Sequence, residues 1–382
     1  MGLTSHKVLA LTVLIAVAAM VGTVWLWPRL SKRNWKAVLG RIGALLATQL
    51  AVLAALGLVA NNYFAFYSSW DDLLGTGDSG PVVIHNKVDA SGRLRVETIG
   101  HAEVQGGGAL GRDRDKSGEI REVRIDGATT RLSTEGYVYL PPQYFQPEYE
   151  QKQFPVLVVS TGFPGIAKNL VTRLNYPGAA LKLLQEGRMQ PTVLVLVTPS
   201  PALPRDTECE DIPGAAQSET YFTKDVPSAV QATYRVSADP RAWAFMGNST
   251  GGYCALKLAM RHPEVFPTAV SLSGYYQAAD DPSTGDLFGG SERRRDEADL
   301  MWRLKNLPQP PVSVLLAGTR EGDGNYRRET EAFVAAAHGP MKVSYSMLET
   351  GGHNFETWSK LLPSSLEWIS QHLTVPAASP SA

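Results

Sequence analysis

The sequence predicts an α/β fold: a mostly parallel central sheet with helices on both faces, preceded by a two-helix transmembrane hairpin. Three observations predict it. After residue 118, short continuous apolar runs alternate with stretches of helical periodicity, the pattern of a parallel sheet covered on both sides. Near the N-terminus stand two long uncharged apolar runs joined by a basic connector. One of the short runs ends in Gly247-Asn248-Ser249-Thr250-Gly251, a Gly-x-Ser-x-Gly turn that leads into a helical stretch.

The hairpin comes first in the chain. Residues 8–27 and 42–60 are each about the length that crosses a bilayer. The connector, residues 28–41, carries Arg29, Lys32, Arg33, Lys36 and Arg41. The positive-inside rule assigns that connector to the cytoplasm, so both ends of the hairpin and all that follows lie outside. Trp25, Trp27, Tyr63, Phe64 and Trp70 gather at the span ends, as interfacial aromatics do. A cleaved signal peptide is the rival reading of the first run, but no clear small-residue site ends it and a second run follows at once. The hairpin is expected over residues 1–70.

Residues 71–118 are poor in apolar periodicity and are expected to form a linker or entry segment. Gly106-Gly107-Gly108-Ala109-Leu110-Gly111 has Gly-x-Gly-x-x-Gly spacing, yet charged residues and not a helix follow, so no dinucleotide site is expected. Asp113-Arg114-Asp115 opens like a calcium loop, but its twelfth position is Arg124 and not a bidentate Glu, which leaves a solvated turn. The catalytic domain is expected over residues 119–373, with strands at 119–125, 136–140, 154–160, 192–197, 242–246, 268–272, 312–316 and 341–348. Helices are expected at 179–186, 220–234, 251–261, 329–337 and 355–373, and a disordered tail at 374–382. The formal net charge of −1 argues against a nucleic-acid partner. The two cysteines, Cys209 and Cys254, form no Cys-x-x-Cys pair, which excludes zinc-ribbon and thioredoxin readings; one disulfide and two buried thiols both remain open.

In open α/β sheets functional groups collect at the carboxyl ends of the strands. Ser249 follows one strand, Glu321 and Asp323 follow another, and His353 follows the last. The chain order is therefore nucleophile, acid, histidine, the order of α/β-hydrolase triads. In that reading His353 takes the proton of Ser249 as it attacks an acyl carbonyl, and Glu321 orients the imidazole, with Asp323 the alternative acid. Two backbone N–H groups must meet the oxyanion: Thr250, directly after the nucleophile, and one from the loop at residues 161–165. Pro164 has no N–H, which leaves Phe163.

Several further stretches strengthen this picture: Tyr137-Val138-Tyr139-Leu140-Pro141, Ser218-Glu219-Thr220-Tyr221, Arg261-His262-Pro263-Glu264-Val265-Phe266, Ser271-Leu272-Ser273-Gly274, and Gly351-Gly352-His353 with Trp358. With Gly247 to Gly252 they make the chain similar to the esterase D / antigen 85 branch of the α/β-hydrolase superfamily, which includes mycolyltransferases, over roughly residues 119–373. The resemblance implies the α/β-hydrolase fold and a serine esterase or acyltransferase with no metal and no organic cofactor. It maps nucleophile, acid and base onto Ser249, Glu321 and His353. Two departures stand out. The hairpin is foreign to secreted mycolyltransferases, and Thr250 replaces what they carry after the nucleophile, so mycolate transfer is not implied. The stretch 206–213 looks either like a substrate-side loop or like a solvated acidic loop; a Cys209–Cys254 bridge would tie it to the nucleophile helix.

The expected function is that of a membrane-anchored, extracytoplasmic serine esterase or acyltransferase acting on a small-molecule or lipid-like acyl ester. A non-catalytic hydrolase-fold binding or envelope scaffold protein, and a serine peptidase, are the alternatives.

Overall fold

The computed structural model describes residues 5–32, 34–64, 70, 96–104 and 113–375. The chain divides into two units, Met1–His85 and Asn86–Ala382. In the first, α1 (His6–Leu26) and α2 (Trp35–Phe64) are both long and apolar enough to cross a membrane; a helix of this kind near an N-terminus also fits a signal sequence. The two helices pack on each other, and the hydroxyls of Thr23 and Thr48 meet between them at 2.8 Å. The contact pairs the two hydroxyls with each other. Leu14, Leu50 and Leu53 stay exposed. The expected connector is shorter than the sequence suggests, because Trp35 to Arg41 already belong to α2.

The second unit is built on a sheet whose nine described strands are β1 (Val96–Ala102), β2 (Glu119–Asp126), β3 (Ser133–Leu140), β4 (Val156–Ser160), β5 (Val193–Val197), β6 (Trp243–Asn248), β7 (Thr268–Leu272), β8 (Ser313–Glu321) and β9 (Lys342–Thr350). Their spatial order is β1-β2-β3-β5-β4-β6-β7-β8-β9. The pairs β1–β2, β2–β3 and β3–β5 are antiparallel, and every pair from β5 to β9 is parallel.

The apolar runs explain why the central strands are covered twice. Successive side chains of a strand point to opposite faces. On β4, Val156 and Val158 face a core that holds Phe245, α4 (Val226–Thr233), α5 (Thr250–Arg261) and Phe333 of α6 (Tyr326–Ala336). Leu157 and Val159 face the other core, with Met246, Leu181 of α3 (Tyr176–Gln185) and Leu366 of α7 (Phe355–His372). A strand buried on both faces needs apolar residues at every position, which is what the continuous runs supply.

Two expectations need correction here. The segment 71–118 is not simply a linker: β1 lies within it and pairs with β2 along the sheet edge. Residues Arg114–Ser117 form a short helix capped by the Asp113 carboxylate, with Lys116 on Asp113 at 2.9 Å. The glycine cluster at 106–111 and the tail from residue 376 lie outside the described residues.

Candidate active site

Ser249 sits between β6 and α5 with φ 55°, in the left-handed region that a serine enters only under strain. The surroundings hold it there. Its N–H donates to the Leu272 carbonyl at 3.0 Å, and its own carbonyl accepts from Gly252 and Tyr253 as α5 begins. The turn is crowded: a Cβ on Gly162 would stand 2.7 Å from the Ser249 Cβ, so the 161–165 loop approaches only because that position is glycine.

His353 follows β9. Its Nε2 lies 2.8 Å from Ser249 Oγ, and its Nδ1 lies 3.0 Å from Asp323 Oδ1. Trp358, near the start of α7, meets the imidazole in a T-shaped contact with ring centroids 5.1 Å apart. The imidazole is 42% exposed, while the Asp323 side chain is 9% exposed. A serine hydroxyl hydrogen-bonded to a histidine that is itself oriented by a carboxylate is the arrangement that generates an alkoxide-like nucleophile at neutral pH.

Glu321, the acid expected from the sequence, is not brought to this site; Asp323, the alternative, is. The reason is the length of β8. It was expected to end at residue 316, but it runs to Glu321, which is still in register with Thr350 of β9 and accepts the Gly351 N–H at 3.0 Å. Glu321 therefore lies in the ladder with an exposed side chain. The chain turns only at Gly322, at φ 98°, and Asp323 is the first residue carried over toward His353.

The two residues expected to supply the oxyanion donors are neighbours, through a contact that the sequence does not show. The Phe163 N–H donates to the Thr250 hydroxyl at 3.3 Å. Thr250 is buried as the first residue of α5.

Cys209 and Cys254 are joined by a disulfide, which ties the 206–211 loop to the second turn of α5. This loop is not a solvated acidic loop. Asp206, Glu208 and Glu210 are 3%, 0% and 1% exposed. Glu210 is met by Lys257 of α5, itself fully buried, and by Arg261 and Arg294. Among the described residues no such cation meets the Glu208 carboxyl. Its Oε1 accepts from the Tyr275 hydroxyl at 2.6 Å and from the Ala279 N–H at 3.2 Å. Burial, with Asp206 nearby, pushes the Glu208 carboxyl up to about 8 and outweighs those hydrogen bonds. Burial likewise pushes Asp206 up to about 6. Neither Glu208 nor Tyr275 is singled out by sequence reasoning, because their partners are 67 residues apart along the chain. No group of His, Cys, Asp or Glu among the described residues is arranged to hold a metal ion.

Comparison with known proteins points the same way. A family model described as "Putative esterase" matches residues 128–369. An uncharacterized protein of Corynebacterium glutamicum is 27% identical over 289 residues, which cover 68% of this chain and 63% of that protein. The MPT51 antigen of Mycobacterium leprae is 36% identical over 80 residues, 21% of this chain and 26% of the antigen. The chain thus spans less than two thirds of the length of either relative. An S-formylglutathione hydrolase from Agrobacterium tumefaciens superposes with a TM-score of 0.58 at 17% identity, over 73% of this chain and 100% of that one. A ferulic acid esterase superposes with a TM-score of 0.57 at 19% identity, over 67% and 98% of the two chains. At such identities the likeness is one of fold.

Proposed function

The chain belongs to the esterase family, in a branch of the α/β hydrolases similar to antigen 85, and on that premise we propose that it is a membrane-anchored, extracytoplasmic serine esterase or acyltransferase. The observation that carries the proposal is the line of contacts from Ser249 Oγ to His353 Nε2 at 2.8 Å and from His353 Nδ1 to Asp323 at 3.0 Å.

In this mechanism Ser249 Oγ attacks the acyl carbonyl while His353 Nε2 takes its proton. The His353 Nδ1–H donates to Asp323, which holds the imidazole in the correct tautomer and stabilises its cation. The N–H groups of Phe163 and Thr250 meet the oxyanion of the tetrahedral intermediate. Collapse expels the alcohol, protonated by His353, and leaves an acyl-Ser249 ester. His353 then activates a second hydroxyl, from water in an esterase or from an alcohol in an acyltransferase. The exposure of the imidazole leaves room for either.

The anchor is supported by α1 and α2 and by the basic residues between them. The bridged cysteines support an oxidising compartment for the catalytic unit. Protease added to sealed cells or spheroplasts should digest the catalytic unit and leave the hairpin in the membrane fraction; a mature chain that starts after the first apolar run would contradict the two-span anchor.

Activity is tested with purified protein in detergent. A fluorophosphonate probe should modify Ser249, S249A should take no label, and H353A should label far more slowly. Absence of label on the folded wild type, or label unaffected by H353A, would contradict the proposal. With a p-nitrophenyl ester, adding glycerol or a sugar separates the two activities: transfer to the added hydroxyl marks an acyltransferase, and free acid alone marks an esterase.

A further inference from the structure

Behind the nucleophile turn a single file of hydrogen bonds leads from the expected oxyanion loop into the interior. The Phe163 N–H donates to Thr250 Oγ1 at 3.3 Å, the Thr250 and Tyr275 hydroxyls are 2.9 Å apart, and the Tyr275 hydroxyl reaches Glu208 Oε1 at 2.6 Å. Each hydroxyl has one proton to give. Glu208 Oε1 also receives the Ala279 N–H, which marks that oxygen as an acceptor. The Tyr275 hydroxyl has one proton and two acceptors within reach, Glu208 Oε1 and Thr250 Oγ1; assigned to the shorter contact, Glu208, it leaves the Tyr275 oxygen to accept from Thr250, whose lone pairs then face Phe163. Every donor in the file points away from the oxyanion loop.

Resting on the serine-esterase reading above, we propose that Glu208 is a positioning residue for the oxyanion hole. Through Tyr275 it fixes the rotor of Thr250, and through Thr250 it fixes the direction of the Phe163 N–H. The Thr250 hydroxyl is a weak acceptor that keeps this N–H aimed until a stronger one, the oxyanion, takes it over. A donor held in one place beside the nucleophile, on a weak acceptor, needs only a small change of partner as charge develops.

The construction of the 206–211 loop supports the assignment. Glu208 and Cys209 both sit at positive φ, 47° and 49°, a costly conformation for side-chain-bearing residues. Lys257 Nζ holds their two carbonyls at 3.1 and 3.0 Å, and the Cys209–Cys254 bridge holds Cys209 to α5. Tyr275 is stacked on Tyr253 of α5, with ring centroids 5.2 Å apart. Glu208 is fully buried and out of reach of substrate, so this clamp fixes a carboxyl that acts only through its neighbours. Burial pushes the Glu208 carboxyl up to about 8, which lessens the negative charge behind a developing oxyanion.

The test compares Y275F, E208M and E208Q with wild type, as full-length protein in detergent, on a p-nitrophenyl ester and with a phenylboronic acid that forms a tetrahedral adduct on the serine. Y275F and E208M should lower kcat roughly 10- to 100-fold with KM within about threefold, and boronate affinity should fall in step with kcat. E208Q keeps a neutral acceptor at the same place and should recover most of what E208M loses, a rescue that loss of packing alone does not predict. If E208M does not fold, Y275F decides. An active wild type with Y275F at full kcat, or with E208Q as impaired as a folded E208M, overturns this inference and leaves the esterase reading standing. A folded wild type with no turnover and no labelling overturns both.

Discussion

The loop that follows β8 and the loop at residues 206–211 both bring carboxyl groups to the nucleophile turn, one at the rim and one in the interior. At the rim, Asp323 faces a half-exposed imidazole that can change its charge as a reaction proceeds. In the interior, the carboxyls are held in place, and two residues two positions apart in the chain differ in kind. Glu210 is surrounded by Lys257, Arg261 and Arg294. Glu208, equally buried, meets one hydroxyl and one amide on its carboxyl. Depth alone therefore does not set what a buried acid does. A carboxyl met by cations serves as an ionic clamp, whereas one buried without a cation is pushed up and serves as a hydrogen-bond terminus.

The largest effect on stability is expected from breaking the clamp. K257M removes the ammonium that meets Glu210 and the carbonyls of Glu208 and Cys209. Leaving those groups buried and underpaired should cost about 3–5 kcal/mol, read as a lower urea midpoint with an unchanged slope. A K257M variant as stable as wild type would mean that Arg261 and Arg294 satisfy Glu210 by themselves.

A smaller effect separates Glu208 from Glu210 by pH. Burial raises the folded-state Glu208 value to about 8, above its ordinary 4.5, so the folded state binds more protons than the unfolded chain across that window. Stability must then fall as pH rises through the window, and Asp206 adds to the fall between its ordinary 3.8 and about 6. The charged and titratable groups around Glu208 are Asp206 on its own loop, Lys257 and Tyr253 on α5, and Tyr275 after β7. Each pH unit inside the window removes up to about 1.4 kcal/mol, so between about pH 5.5 and about pH 7 wild type should lose about 2 kcal/mol more than E208Q. Parallel pH profiles for the two proteins would show that Glu208 is ionised in the fold throughout.

The same two loops mark where the sequence was legible. The elbow at Ser249, the histidine after the last strand and the central strands could be read, because a doubly covered strand is apolar at every position and a sharp turn needs small residues. The choice between Glu321 and Asp323 could not. The end of β8, Thr319-Arg320-Glu321, has the polarity of a loop, yet it stays in the ladder because β9 pairs with it as far as Thr350. Edge strand β1 was missed for a similar reason: only Val96 is fully buried, so no apolar run announces it. The 206–211 loop reads equally as substrate-side or solvated because its letters are acidic. The cations that bury Glu210 lie 47, 51 and 84 residues downstream, and no local pattern reports a pairing at that range.

The central claim is that Ser249, His353 and Asp323 act as one unit, and the most direct measurement is the turnover of a p-nitrophenyl ester by D323N beside E321Q. Removing the carboxylate that orients the imidazole should lower kcat about 10⁴-fold. E321Q, whose side chain points to solvent from the β8 ladder, should stay within about twofold of wild type on the same scale. A collapse of E321Q with D323N still active would contradict the account, and would assign the acid to the last residue of the strand rather than to the turn beyond it.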